Sequence, residues 1–150
     1  MRSALRSIAA VVAGFIAASI VMMIVETLNG RVFYPELAKA AEGVRDREKL
    51  RALFATAPLG ALLVVIVGWI LGSVAGGWVT AWLAPKAKMS HGLVLGLLLT
   101  LAGIANNLML PPPLWFWIAS LVVFIPAVYL GARLRGARSS EKGAGNSVPS

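Results

Sequence analysis

Glu26 is the only acidic residue of this 150-residue chain that lies inside a long apolar run. A carboxylate deep in an apolar medium is costly, and where one occurs it usually serves function. Glu26 follows Ile8 by 18 residues, or ~27 Å along a helix. It therefore falls near the end of its run, where the side chain can reach water. Asn29, Asn106 and Asn107 come to the same level once successive runs are set antiparallel, with Arg31 just beyond. These five side chains are expected to form a small polar pocket. Three readings of it stay open: a capping hydrogen-bond network that fixes helix ends, which leads, a site for an ion, a proton or a small solute, or no mutual contact at all.

Other chemistry is poorly supplied. His91 is the sole histidine and sits beside Lys86 and Lys88. A metal site normally takes three or four ligands, so His91 reads as an interfacial polar residue or a pH-sensitive one. It lies at the opposite end of the runs from Glu26, so no Ser/His/acid set forms at one depth. The glycines of Pro58–Ala84 lack the lysine and the strand–helix context of a phosphate loop. The chain has no cysteine, which excludes disulfides, thiolate catalysis and cysteine-bound metals. No catalytic residue, metal or cofactor is expected.

The elements that position these residues are four apolar stretches, Ile8–Leu28, Pro58–Ala84, Gly92–Leu110 and Leu114–Leu130, the last reaching Ala132 at its widest. About 20 apolar residues cross a ~30 Å hydrocarbon layer as a helix. The chain is 59% hydrophobic and 13% charged, against roughly 25% charged in a soluble domain, and its mean hydropathy is +0.82. The expected fold is an all-α integral membrane protein, a four-transmembrane-helix bundle with a short amphipathic helical connection between spans 1 and 2. The net charge of +8 does not point to nucleic acid, because the cations flank the apolar spans and anchor them. Arg2 and Arg6 before an apolar run suggest a secretory signal, but Ile8–Val25 is longer than the usual ~7–15-residue signal core, and it reads as an uncleaved first span.

In the connection, Arg31–Ala57, Pro35 suits a first helical residue and Gly43 interrupts the helix. Glu36/Lys39, Asp46/Lys49 and Glu48/Arg51 are opposite charges three apart on a shared face. Lys86–Ser90 reads as a basic turn, Pro111-Pro112-Pro113 as a stiff corner, Pro126 as a kink in span 4, and Gly136–Ser150 as a disordered tail. With four spans both termini share a side, which holds eight of the lysines and arginines against six on the other. That bias favours a bacterial inner membrane protein with both termini cytoplasmic. Trp78, Trp82, Trp115, Trp117 and Tyr129 fall at span ends, as an aromatic belt does.

Small residues recur every fourth position: Ala10, Gly14 and Ala18; Gly68, Gly72, Gly76 and Thr80; Gly92, Gly96 and Thr100. Such stripes let helix backbones approach closely. Packing within one bundle is the leading reading, with self-association through the span 2 stripe as the alternative and Gly76-Gly77 as a source of local flexibility.

The carboxylate closing span 1, the Tyr34-Pro35 pair, the run Pro58–Pro85, Asn106-Asn107 and the Pro113-Leu114-Trp115 opening of span 4 resemble small uncharacterised four-span bacterial inner-membrane proteins. The likeness covers most of Ile8–Leu134 and implies a four-span bundle, but no activity. The chain is unlike the small multidrug transporters, which place their key glutamate mid-span. The leading functional expectation is a non-enzymatic packing, partner-binding or accessory protein whose partners are the lipid bilayer and a second copy or another membrane protein. The alternative is a small oligomeric transporter or channel with its polar site around Glu26.

Overall fold

The computed structural model describes residues 2–86 and 88–144, with side chains placed over 4–86 and 88–136. It is helical throughout, with no strand among the described residues: α1 (Arg2–Leu28), a π-helical turn (Asn29–Phe33), α2 (Pro35–Ala41), α3 (Arg47–Ala55), α4 (Leu59–Leu83), α5 (Lys88–Met109) and α6 (Leu114–Ala144). Among the described residues four segments, in α1, α4, α5 and α6, are long and apolar enough to cross a membrane.

The interior is the reverse of a water-soluble core. Packed inside are small and hydroxylated residues, among them Ala10, Ala18, Ser73, Thr80 and Ala132, together with the larger Leu95, Leu99, Phe116, Phe124 and Val128. Left outside are large apolar side chains in stripes: Ile8, Val12, Ile16 and Ile20 along α1; Leu59, Leu63, Val67 and Leu71 along α4; Ile118 and Val122 along α6. In water the hydrophobic effect would draw those stripes inward. The faces that turn in are those whose small residues allow close backbone approach.

α4 is the central helix, packed on α1 along one face and α6 along another, while α1 and α5 touch only sparingly. The span 2 stripe is filled by α1. A Cβ on Gly72 would lie 2.6 Å from Met22 Cγ and 2.7 Å from the Ala18 carbonyl, and one on Gly76 would lie 2.6 Å from the Gly14 carbonyl. Gly68 abuts Val25 in the same seam. Gly77 turns the other way, against the Val128 backbone, and Gly131 of α6 answers it by abutting the Val74 backbone. The adjacent glycines 76 and 77 thus serve two different neighbours, and the pair is a double packing point within a continuous helix. Gly92 and Gly96 face α6 more loosely, at 3.4 Å from Ala132 Cβ and Ile125.

Local chemistry sets the ends. Pro58 precedes α4, and α4 stops at Leu83 before Pro85. Pro111–Pro113 forms the corner into α6, whose first turn is closed by Phe116 N–H donating to the Pro113 carbonyl at 3.0 Å. Gly43 adopts φ +73°, the left-handed region that glycine takes at no steric cost, and it separates α2 from α3. Lys39 pairs with Glu36 at 3.1 Å on the surface, where such a pair contributes little. Asp46 does not pair with Lys49: its carboxylate caps α3, accepting from the N–H of Glu48 at 2.9 Å and of Lys49 at 3.2 Å. Asp46→Ala should therefore cost α3 about 1 kcal/mol, seen as faster amide exchange over residues 47–53 with α4 and α6 unchanged.

Several boundaries differ from the sequence reading. α1 starts at Arg2, and α5 starts at Lys88 and so takes up most of the expected basic turn, because no proline or glycine interrupts either stretch. α6 runs through Pro126 and past Gly136 to Ala144. Residues 133–142 include leucine, arginine, alanine, glutamate and lysine, all good helix formers, so the expected tail is helical there; residues 145–150 lie outside the described residues.

Candidate functional site

α1 ends in a π-helical turn in which Tyr34 N–H donates to the Asn29 carbonyl at 2.8 Å, five residues back. Such turns change which side chains face inward and are frequent at functional sites. Here Asn29 is buried and Arg31 is exposed. Asn29 Nδ2 donates to the Ala61 carbonyl at 3.0 Å and so ties the end of α1 to the start of α4. Across the bundle Asn107 Nδ2 donates to Ser120 Oγ at 2.8 Å, and Ser120 donates to the Trp117 carbonyl at 2.9 Å, joining the end of α5 to the start of α6.

These bonds fix how the amides are turned. The single hydroxyl proton of Ser120 goes to Trp117, so its oxygen can only accept, and the group that reaches it from Asn107 is the NH2. Asn29 faces a carbonyl, which likewise demands its NH2. Both asparagine Oδ1 atoms are then left buried with no hydrogen bond from any described residue. Unpaired buried acceptors are uncommon and costly.

Glu26 lies in the last turn of α1. Its Oε1 accepts from the Trp69 indole N–H at 2.9 Å, and its other oxygen takes no hydrogen bond from any described residue. Trp69 is only 4% exposed; it stacks on Phe124 at 5.3 Å and meets Phe116 edge-on at 5.5 Å. A buried indole N–H requires an acceptor, and Glu26 supplies it across the α1–α4 seam.

Two cavities meet at this glutamate. The first, about 220 Å³, is lined by Glu26, Asn29, Asn106 and Asn107, walled by Leu62, Val65 and Phe116, and roofed by Leu37, Ala38 and Ala41 of α2 with Phe54 of α3. The second, about 250 Å³, follows α1 from Glu26 to Phe15 between α1 and α5, with Trp69 and Phe124 at its floor. Glu26 and Asn106 line both.

Four of the five residues expected in a polar pocket are thus around one cavity. They form no hydrogen bonds to one another; the asparagine amides stitch helix ends, while the glutamate reaches Trp69. Arg31 is the exception. The π-helical turn carries it to the other side of α2, where it lines a separate hollow with Pro35, Lys39 and Glu42. At the opposite end of the bundle Trp78 and Trp82 pack at 5.8 Å, with the Arg135 guanidinium 5.8 Å from the Trp78 ring. Among the described residues no three histidine, aspartate or glutamate side chains are placed to hold a metal ion.

Tyr34, of the Tyr34-Pro35 pair, lines the first cavity and Ser120 holds Asn107, while Trp69 belongs to the site and was not singled out in the sequence. The signal for Trp69 was its place in the middle of a span, away from any belt, which leaves an N–H that only a nearby carboxylate or carbonyl can satisfy. No protein-family model, curated protein or solved structure matches the chain.

Proposed function

We propose that this chain is a multi-pass protein of the bacterial inner membrane, with both termini cytoplasmic, that works by binding rather than by catalysis. On this reading α2 and α3 cap the outer surface and the Glu26 cavity opens on that side. The membrane assignment is supported by the inverted burial: stripes of isoleucine, leucine and valine outside, glycine, alanine and serine inside. The lysine and arginine bias supports the orientation.

One observation carries the binding reading. The cavity presents a carboxylate with one oxygen free of hydrogen bonds from the described residues, and the unpaired Oδ1 atoms of Asn29 and Asn107 lie buried behind its wall. A carboxylate with an unused oxygen is complementary to a small donor, above all an organic ammonium. A conduit is less well supported. Below the second cavity α4 meets α1 at Gly76 and α6 at Gly77 with glycine against backbone, a close packing that a conducting path would have to open.

The test is the melting of purified protein in mild detergent with ethylamine, glycerol or acetate added. Ethylamine should raise the midpoint and acetate should not. Glu26→Gln, which keeps an acceptor for Trp69, should melt near the wild type but lose the ethylamine response. Glu26→Ala should lose the response and also about 0.6 kcal/mol, the average for a hydrogen bond between membrane helices, and at most ~1.7 kcal/mol. If both variants respond and melt as the wild type does, the cavity is no binding site.

A further inference from the structure

We propose that the two cavities form one site for a single-chain amphiphile ending in a protonated primary amine, its head at Glu26 and its tail in the groove between α1 and α5. This rests on the binding reading above and goes further by naming the ligand class.

The head end has the chemistry for an ammonium. Glu26 offers a carboxylate with one oxygen free of hydrogen bonds, exposed at the point where the two cavities meet. Behind it stand Asn29, 9% exposed, and Asn107, fully buried, each with an unused Oδ1. An ammonium has three donors, no acceptor and a full positive charge, so it pairs with the carboxylate, whereas an alcohol has a single donor and no charge.

The tail end has the shape for a chain. From Glu26 to Phe15 the groove runs eleven residues, or ~16 Å. Below the glutamate and Asn106 its walls are apolar apart from Ser19: Phe15, Met22 and Met23 on α1, Leu99 and Gly103 on α5. It exists because α1 and α5 barely touch, each being held instead by α4 or α6. Neither cavity alone reaches the ~300 Å³ at which small-molecule sites begin, but the pair does. A ligand that fills only the polar half leaves the aromatic floor of Trp69 and Phe124 uncovered. The arrangement also matches the proposed orientation, with the head at the interface and the tail toward the midplane.

Photolabelling tests this. The full chain is placed in nanodiscs of phosphatidylcholine and phosphatidylglycerol, which contain no primary amine, and is labelled with dodecylamine carrying a mid-chain diazirine. Label should fall on α1 between Phe15 and Met23 and on α5 between Leu99 and Gly103. The matching dodecanol probe should label about ten-fold less, the loss expected for a hydrogen bond to a charged group. Glu26→Gln should reduce dodecylamine labelling to the same level. Ala102→Phe, at an exposed groove residue, should remove the label yet keep the ethylamine effect on melting. Label spread over the outer stripes of α1 and α5, or equal labelling by dodecanol, overturns the proposal. If ethylamine still stabilises the protein while label scatters, the groove is wrong and the cavity reading stands; if ethylamine has no effect either, both fall.

Discussion

Gly77→Leu and Gly131→Leu should each strongly destabilise the packing of α4 on α6. At both positions an added side chain meets backbone rather than the end of a flexible neighbour: the Val128 carbonyl in one case, the Val74 carbonyl in the other. Overpacking costs about 1–3 kcal/mol when side chains can yield. Here α4 and α6 must separate, so the cost is at the top of that range or beyond it, and it takes a large share of a stability of about 5–15 kcal/mol. Gly92→Ala is the control, because its Cβ would stand 3.4 Å from Ala132 in ordinary contact. Size-exclusion profiles and melting in mild detergent decide the matter. Leucine variants that elute and melt like Gly92→Ala would show that the α4–α6 crossing is placed wrongly.

Trp69→Ala has the next largest expected effect. The ring is buried among Phe116, Phe124 and Leu99, and it holds Glu26 through its N–H. Removing a tryptophan from a packed core costs about 3–5 kcal/mol in water-soluble proteins, through lost contacts and the cavity left behind. Lipid removes part of the transfer term, but the cavity and the unpaired carboxylate remain, so about 3 kcal/mol is expected. Trp69→Phe keeps most of the ring and removes only the N–H, and should cost about 1 kcal/mol. Chemical or thermal unfolding in one detergent would compare the two. Equal costs would mean that the indole N–H, and not the packing, dominates, contrary to this account.

The four long helices could be read from the chain because run length and proline placement are local signals. The same holds for the α2–α3 break at Gly43 and for the levels of Glu26, Asn29, Asn106 and Asn107, which follow once the runs alternate in direction. What could not be read depended on rotation about a helix axis. Arg31 left the cavity because a π-helical turn, invisible in residue types, rotates everything after Asn29. Gly76 and Gly77 looked like a flexible spot because adjacent residues point about 100° apart on a helix, and only the neighbours reveal that each direction is occupied. Asp46 looked like a partner for Lys49, yet its position just before the first turn of α3 makes capping the better use of a short carboxylate. Trp69 was hidden because a tryptophan in an apolar run has the same hydropathy whether it faces lipid or a carboxylate.

The sparing contact between α1 and α5 has a consequence for how the molecule is put together. The first helix is fastened almost wholly to α4, along a seam of glycine and alanine, and its covalent tether is the peripheral stretch that holds α2 and α3. A cut at Gly43 would sever that tether without touching the seam. The amino-terminal segment could then be supplied as a separate polypeptide, docking onto a preassembled three-helix remainder and carrying Glu26 into place beside Trp69.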